Sequence, residues 1–115
     1  MNSNKERVLK YYNQELEEAK AAYQVMAWEK CFFHLERAHI LGQRFIIPHT
    51  VTHIRMFRVG LHRKDFKEIV GQLFRIVTGV IGSAIGVLPY GNTGGSNVNP
   101  FKRMELPEDF KKLLK

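Results

Sequence analysis

The sequence lacks several features that would point to a secreted or membrane-spanning protein. Cys31 is the only cysteine among 115 residues, so no internal disulfide can form. The amino-terminal residues 1–6 (MNSNKE) do not have the apolar segment of a secretion signal, which favours a cytoplasmic location. Residues 77–101 contain no Asp, Glu, Lys or Arg, but the apolar part, Ile76 to Tyr90, is shorter than the ~20 residues that span a bilayer. We therefore predict no transmembrane segment and interpret this stretch as a buried core helix.

The composition is that of a folded protein. Hydrophobic residues make up 44% of the chain and aromatic residues 11%, which argues against disorder. The length predicts a single domain over residues 1–115. Within it we expect a helical core at about 1–88, a glycine-rich loop at 89–106 and a short terminal helix at 107–115.

The net charge of +7 is concentrated in the middle of the chain. Residues 44–76 carry seven basic and two acidic side chains. This excess predicts a basic face that attracts phosphates or acidic partners. The basic residues are Arg44, Arg55, Arg58, Arg63, Lys64, Lys67 and Arg75. No helix-turn-helix, zinc-finger or RNP-type pattern accompanies them, so nucleic acid is a disfavoured partner.

The first half of the chain predicts a helical hairpin. Ser3 and Glu6 match a capping box. Apolar residues then recur at helical spacing at Val8, Tyr12, Leu16, Ala19, Tyr23 and Met26. A second, offset stripe follows at Trp28, Cys31, Leu35, Ala38 and Gly42. The offset predicts a turn near residues 24–28, and the alternative is one continuous helix of nearly forty residues, which is unusually long for a globular protein.

A second hairpin is predicted downstream. Pro48 suits the first position of a third helix, and Asp65 with Glu68 suits the start of a fourth. The apolar residues of the fourth helix are Phe66, Ile69, Val70, Leu73, Phe74 and Val77. Pro107, with Glu108 and Asp109, opens the short terminal helix. The expected fold is all-α, with two packed antiparallel helical hairpins that loosely resemble tetratricopeptide-type repeats.

Histidine spacing indicates a candidate metal site. Glu36 and His39 are three residues apart, and His49 and His53 are four apart, so each pair projects from one face of its helix. The short connection at residues 43–47 makes the two helices antiparallel, which brings both pairs together. Three imidazoles and one carboxylate suit a divalent metal, zinc or iron, with copper less favoured. A second Glu-x-x-His motif is missing, so we expect a mononuclear site rather than a di-iron site.

The remaining candidate residues are predicted to lie outside the metal site or to support it. We predict His34 and His62 outside the site, Met56 in the core and Cys31 as a buried structural thiol. A polar stripe supports the metal ligands or, alternatively, forms an ordinary solvated face. Its members are Gln43, Glu68, Gln72 and Arg75. Gly91–Gly95 is interpreted as a structural turn that folds the tail over the helices, with anion binding as the alternative.

Four segments together resemble a small bacterial family catalogued only as a domain of unknown function. They are HLERAHILGQ at 34–43, the His49/His53/Met56 run, EIVGQ at 68–72 and PYGNTGG at 89–95. The resemblance covers nearly the whole chain and implies a compact helical protein of bacterial origin. It also implies that the histidine-rich and glycine-rich segments are parts of the same structural unit. It supplies no reaction.

Two functional hypotheses follow. In the first, Glu36, His39, His49 and His53 bind a divalent metal for metal handling or sensing. The sequence marks no further acid, base or nucleophile, so an enzyme is less favoured. In the second, the helical hairpins present a groove to a protein partner, and the basic face selects acidic partners.

Overall fold

The computed structural model describes residues 3–85, 92–99 and 102–114. This part of the chain forms five helices and contains no strand, which confirms the all-α prediction. The helices are α1 (Ser3–Gln24), α2 (Trp28–Gly42), α3 (Ile46–Arg63), α4 (Phe66–Ile85) and α5 (Glu108–Lys111). Among the described residues, no helix combines the length and the apolar character needed to cross a membrane.

The predicted turn between the first two helices is confirmed. Helix α1 ends at Gln24 and α2 begins at Trp28. Met26 adopts a left-handed backbone conformation with φ of 57°, and the backbone N–H of Ala27 donates to the carbonyl of Ala22 at 2.9 Å. A glycine is the usual residue at such a position, so the turn was not marked by residue type. One continuous helix is thereby excluded.

Helix α3 begins two residues before the predicted start. Its first residue is Ile46, and Pro48 is third, so the prediction for Pro48 is wrong. The first intrahelical bond joins the N–H of His49 to the carbonyl of Phe45 at 2.9 Å. A proline is tolerated anywhere before that bond because the N–H groups of the first turn have no helical acceptor.

The start of α4 has the predicted Asp cap. The carboxylate of Asp65 accepts a hydrogen bond from the backbone N–H of Glu68 at 3.1 Å. In a complete capping box, the Glu68 side chain would accept a hydrogen bond from the N–H of Asp65. Here that N–H donates instead to the carbonyl of Gly60 at 3.0 Å. The Glu68 side chain is therefore available for the polar network described below.

Two apolar clusters hold the first three helices together. One joins α1 and α2 to α5 and the residues that follow it, and its buried members are Val8, Tyr12, Ala38, Ile40, Leu41, Phe110, Leu113 and Leu114. The other joins α1, α2 and α3 through Ala19, Ala22, Cys31, Leu35, Met56 and Val59. Buried Cys31 and Met56 occupy the core positions that the sequence predicts. Helix α2 is thus fixed on both sides.

The prediction that Ile76 to Tyr90 is buried is wrong for its described side chains. Val77 is 63% exposed and Ile81 is 56% exposed, although α4 continues to Ile85. Among the α4 side chains whose burial the structure describes, the buried ones lie on the polar side and are Glu68, Gln72 and Arg75. Residues 86–91 lie outside the described part of the chain. The apolar stripe of α4 therefore faces away from the protein core.

Candidate metal centre

Three histidines converge on one point inside the helical assembly. The Nε2 atom of His39 lies 3.1 Å from the Nε2 atoms of both His49 and His53, and the latter two are 3.0 Å apart. Each residue is at most 5% exposed. Three of the four predicted ligands are thus brought together as a group that can hold a metal ion.

Helix geometry explains the convergence. His49 and His53 are one turn apart on α3, so their rings lie on the same face. His39 lies in the last turn of α2, and the short connection through residues 43–45 turns the chain back. The last turn of α2 and the first turns of α3 are therefore neighbours, as the sequence predicts.

The protonation of two of the rings follows from their partners. The Nδ1 atom of His39 lies 2.7 Å from the carbonyl oxygen of Asn92, and Nδ1 of His53 lies 2.6 Å from Oε1 of Gln72. These oxygens can only accept, so each Nδ1 carries the proton and donates. In the neutral rings, Nε2 is then left with a free lone pair that points at the other histidines.

Gln72 has a fixed amide orientation. Its Nε2 donates to Oε2 of Glu68 at 2.6 Å and to the carbonyl oxygen of Gly94 at 2.9 Å. Both partners are acceptors, so the amide oxygen must face His53. This relay confirms that Gln72 and Glu68 belong to a polar network behind the histidines rather than to a solvated face. Gln43, the other glutamine of the predicted stripe, is buried on the α2–α3 connection.

The segment 92–99 covers the histidines. A Cβ atom on Gly94, whose φ is 84°, would lie 2.5 Å from Cδ2 of His39, so only glycine fits against the ring. Asn92 stabilises the segment, because its Oδ1 accepts from the N–H of Gly94 and its Nδ2 donates to the carbonyls of Asn99 and Lys102. Residues 92–95 have no regular secondary structure and pack against His39 at Gly94, and Gly91 lies outside the described residues.

Arg75 is also part of this cover. Its guanidinium donates to the carbonyl oxygen of Gly94 at 3.1 Å and to that of Val98. The residue is only 7% exposed. The assignment of Arg75 to a basic surface is therefore wrong, because backbone carbonyls of the covering segment take up its donors.

Burial keeps the three rings neutral. It lowers the pKa of His49 to about 3, with a smaller contribution from the charge of His53. It lowers the pKa of His53 to about 4, against the opposing effect of the Gln72 hydrogen bond. The pKa of fully buried His39 is also lowered, first by burial and then by the two other histidines. Neutral imidazole is the form that binds metals.

Glu36 is not a member of the group of clustered donor atoms that His39, His49 and His53 form. Glu36 lines an open cavity of about 320 Å³ whose wall also contains Glu29, Asp65 and Glu68. Burial, and then the charge of Glu68, raise the pKa of the Glu36 carboxyl. A role of Glu36 as a metal ligand stays a prediction.

The other two histidines stand apart, as predicted. His34 pairs with Glu15 at 2.8 Å. Exposed His62 stacks on Trp28 with ring centroids 4.7 Å apart, and its Nε2 lies 2.6 Å from the hydroxyl of Tyr23. Sequence reasoning missed Asn92 as a partner of His39. A backbone carbonyl supplies that contact, and residue type carries no signal for it.

Comparison with known proteins identifies one family. A family model with the description "Protein of unknown function (DUF3703)" matches residues 6–114. No curated protein and no solved structure matches the chain significantly.

Proposed function

The chain belongs to the family described as "Protein of unknown function (DUF3703)", and we propose that His39, His49 and His53 bind a divalent metal ion for metal handling or sensing. The proposal rests on the buried group of three histidines whose donor atoms are close enough to share one ion. Their helices and the segment 92–99 define the candidate site.

One observation carries the proposal. Nε2 of His39 and Nε2 of His53 are 3.1 Å apart, and both rings have their proton on Nδ1. Two lone pairs facing each other at this distance repel unless a positive centre lies between them. A proton on Nε2 of His49 can point to only one of these two lone pairs at a time. A metal ion accepts all three lone pairs at once.

The separations suit first-row metals. Zinc–imidazole bonds of about 2.0–2.1 Å require an angle of about 95° at the metal for donor atoms at these separations. Such an angle leaves at least one coordination position for water, for Glu36 or for a further ligand. The carbonyl of Asn92 and the amide of Gln72 supply the hydrogen bonds that typically orient metal-bound imidazoles.

The donor set favours zinc or iron over Cu(I). Imidazole nitrogen suits these borderline divalent ions, whereas Cu(I) prefers soft sulfur ligands. Met56 and Cys31, the nearest sulfur candidates in sequence, belong to the apolar cluster between α1, α2 and α3. We propose handling or sensing rather than catalysis because the segment 92–99 covers the imidazoles, which leaves binding and release as the controlled steps.

Metal titration with a competing chelator tests the proposal. Tag-free protein purified without added metal should take up one equivalent of zinc or ferrous iron. Replacement of His39, His49 or His53 by Ala should remove tight binding, whereas His34→Ala and His62→Ala should retain it. These two controls remove an imidazole elsewhere in the same fold. Equal uptake by all five variants, or no uptake by the wild type, would refute the proposed site.

Glu36→Gln separates two versions of the site. A three-histidine centre retains its affinity in this variant because the carboxylate is outside the cluster of donor atoms. A loss of roughly 100-fold would assign the carboxylate to the ion or to its immediate support. In both cases circular dichroism should show an unchanged helical spectrum.

A further inference from the structure

Helix α4 presents an apolar stripe that the rest of the described chain does not cover. Its exposed side chains are Phe66, Val70, Leu73, Phe74, Val77 and Ile81, with exposed fractions between 51% and 77%. Among the helices, α4 packs extensively only against α3. Four turns of one helix thus expose large apolar side chains on one side.

The spacing of the stripe is that of a helix-pairing surface. Phe66, Val70, Leu73 and Val77 are separated by four, three and four residues. This alternation is the repeat that places apolar residues along a seam between two helices. The polar side of the same helix carries Glu68, Gln72 and Arg75 and is occupied by the histidine network. The two sides of α4 therefore have separate roles.

Helix α3, which packs against α4, carries a second exposed apolar stripe. Ile47, Ile54 and Leu61 recur every seven residues and are 73%, 43% and 49% exposed. At roughly 100 Å² of exposed area per side chain, about half of what a buried aromatic side chain contributes, the six residues of α4 offer about 600 Å² and the three of α3 about 300 Å². A standard interface takes about 800 Å² from each partner. The largest apolar patch of a typical monomer is about 300–600 Å².

We infer that this surface pairs with the same surface of a second copy of the chain, with the two α4 helices packed together. None of the nine side chains is charged. Each copy has a net charge of +7, but the paired surfaces themselves would bring no like charges together.

The solution mass of the full chain tests this inference. Light scattering after size exclusion should give twice the 13.4 kDa chain mass. The double variant Leu73→Glu, Val77→Glu should fall to the monomer mass. The control Val25→Glu, Met26→Glu changes two apolar residues of the α1–α2 turn that are 72% and 71% exposed, and it should remain dimeric. A monomeric wild type, or a double variant that stays dimeric, overturns the inference.

Cysteine crosslinking tests the same inference without placing charged residues on α4, which could cause misfolding. In a Cys31→Ser background, Leu73→Cys should form a disulfide-linked dimer on mild oxidation, whereas Val25→Cys should remain monomeric on a denaturing gel. Equal crosslinking of both positions would also overturn the inference. Metal uptake by the monomeric double variant is expected to be unchanged, so the dimer and the metal site can fail independently.

Discussion

Gln72→Leu is the substitution whose consequences the structure defines best. The side chain is fully buried and its amide contacts His53, Glu68 and the carbonyl of Gly94. In the variant, the carboxylate of Glu68 still accepts a hydrogen bond from the N–H of Ser96 at 3.1 Å. The carbonyl oxygen of Gly94 still accepts one from Arg75 at 3.1 Å. Nδ1–H of His53 loses the acceptor at 2.6 Å. One buried donor without a partner costs about 1–3 kcal/mol, so the metal-free protein should lose about 2 kcal/mol of unfolding free energy.

The same substitution should weaken metal binding by roughly 10–100-fold. Gln72 fixes the proton of His53 on Nδ1, and without it the proton can move to Nε2 and compete with the ion. Urea denaturation and chelator competition measure the two effects separately. Thr52→Val is the matched control on α3, because its buried hydroxyl contacts Pro48 and Tyr12 instead of the histidines. It should lose about 1 kcal/mol of stability and keep its affinity. Wild-type affinity in Gln72→Leu would refute the orienting role.

Three further predictions concern the protonation of the histidines, the close packing at Gly94 and the backbone of the α1–α2 turn. The folded-state pKa values of His49 and His53, about 3 and about 4, lie below the ordinary 6.5, so unfolding takes up protons between these limits. Stability of the metal-free protein should be complete above pH 6.5 and fall below it, by about 2 kcal/mol per histidine at pH 5, in urea melts. Constant stability from pH 8 to 5 would contradict the buried neutral rings. Gly94→Ala should cost more than about 2 kcal/mol and lower metal affinity, since its Cβ would collide with the ring of His39; a wild-type melting curve would contradict this close packing. Met26→Gly should raise stability by about 0.5–1 kcal/mol, because it relieves a left-handed non-glycine residue, and a thermal melt with no increase would contradict that strain.

The predictable parts of the site are those set by short-range helix geometry. His49 and His53 share a face because they are four residues apart, and His39 joins them because the connection between α2 and α3 is short. Spacing leaves open whether Gln72 supports the ligands or lies on a solvated face, and the 2.6 Å contact between His53 and Gln72 decides for the supporting role. The contact from Asn92 to His39 spans 53 positions and uses a backbone carbonyl, so no spacing rule predicts it.

The burial of α4 was predicted incorrectly for a related reason. Apolar periodicity shows that a helix has an apolar side, but it does not identify what covers that side. In this chain the side of α4 that faces the protein interior is polar, since Gln72 and Arg75 bond to the histidine network and to the covering segment. The same contacts remove Arg75 from the basic surface.

X-ray absorption at the zinc edge, on protein loaded with one equivalent and dialysed, tests the central claim most directly. Three histidine ligands should give a first shell of nitrogen or oxygen at about 2.0–2.1 Å, with the outer-shell scattering of about three imidazole rings. That signal should disappear in His53→Ala and persist in His34→Ala. Zinc lost on dialysis, a sulfur shell near 2.3 Å, or a spectrum without imidazole scattering would contradict metal binding by His39, His49 and His53.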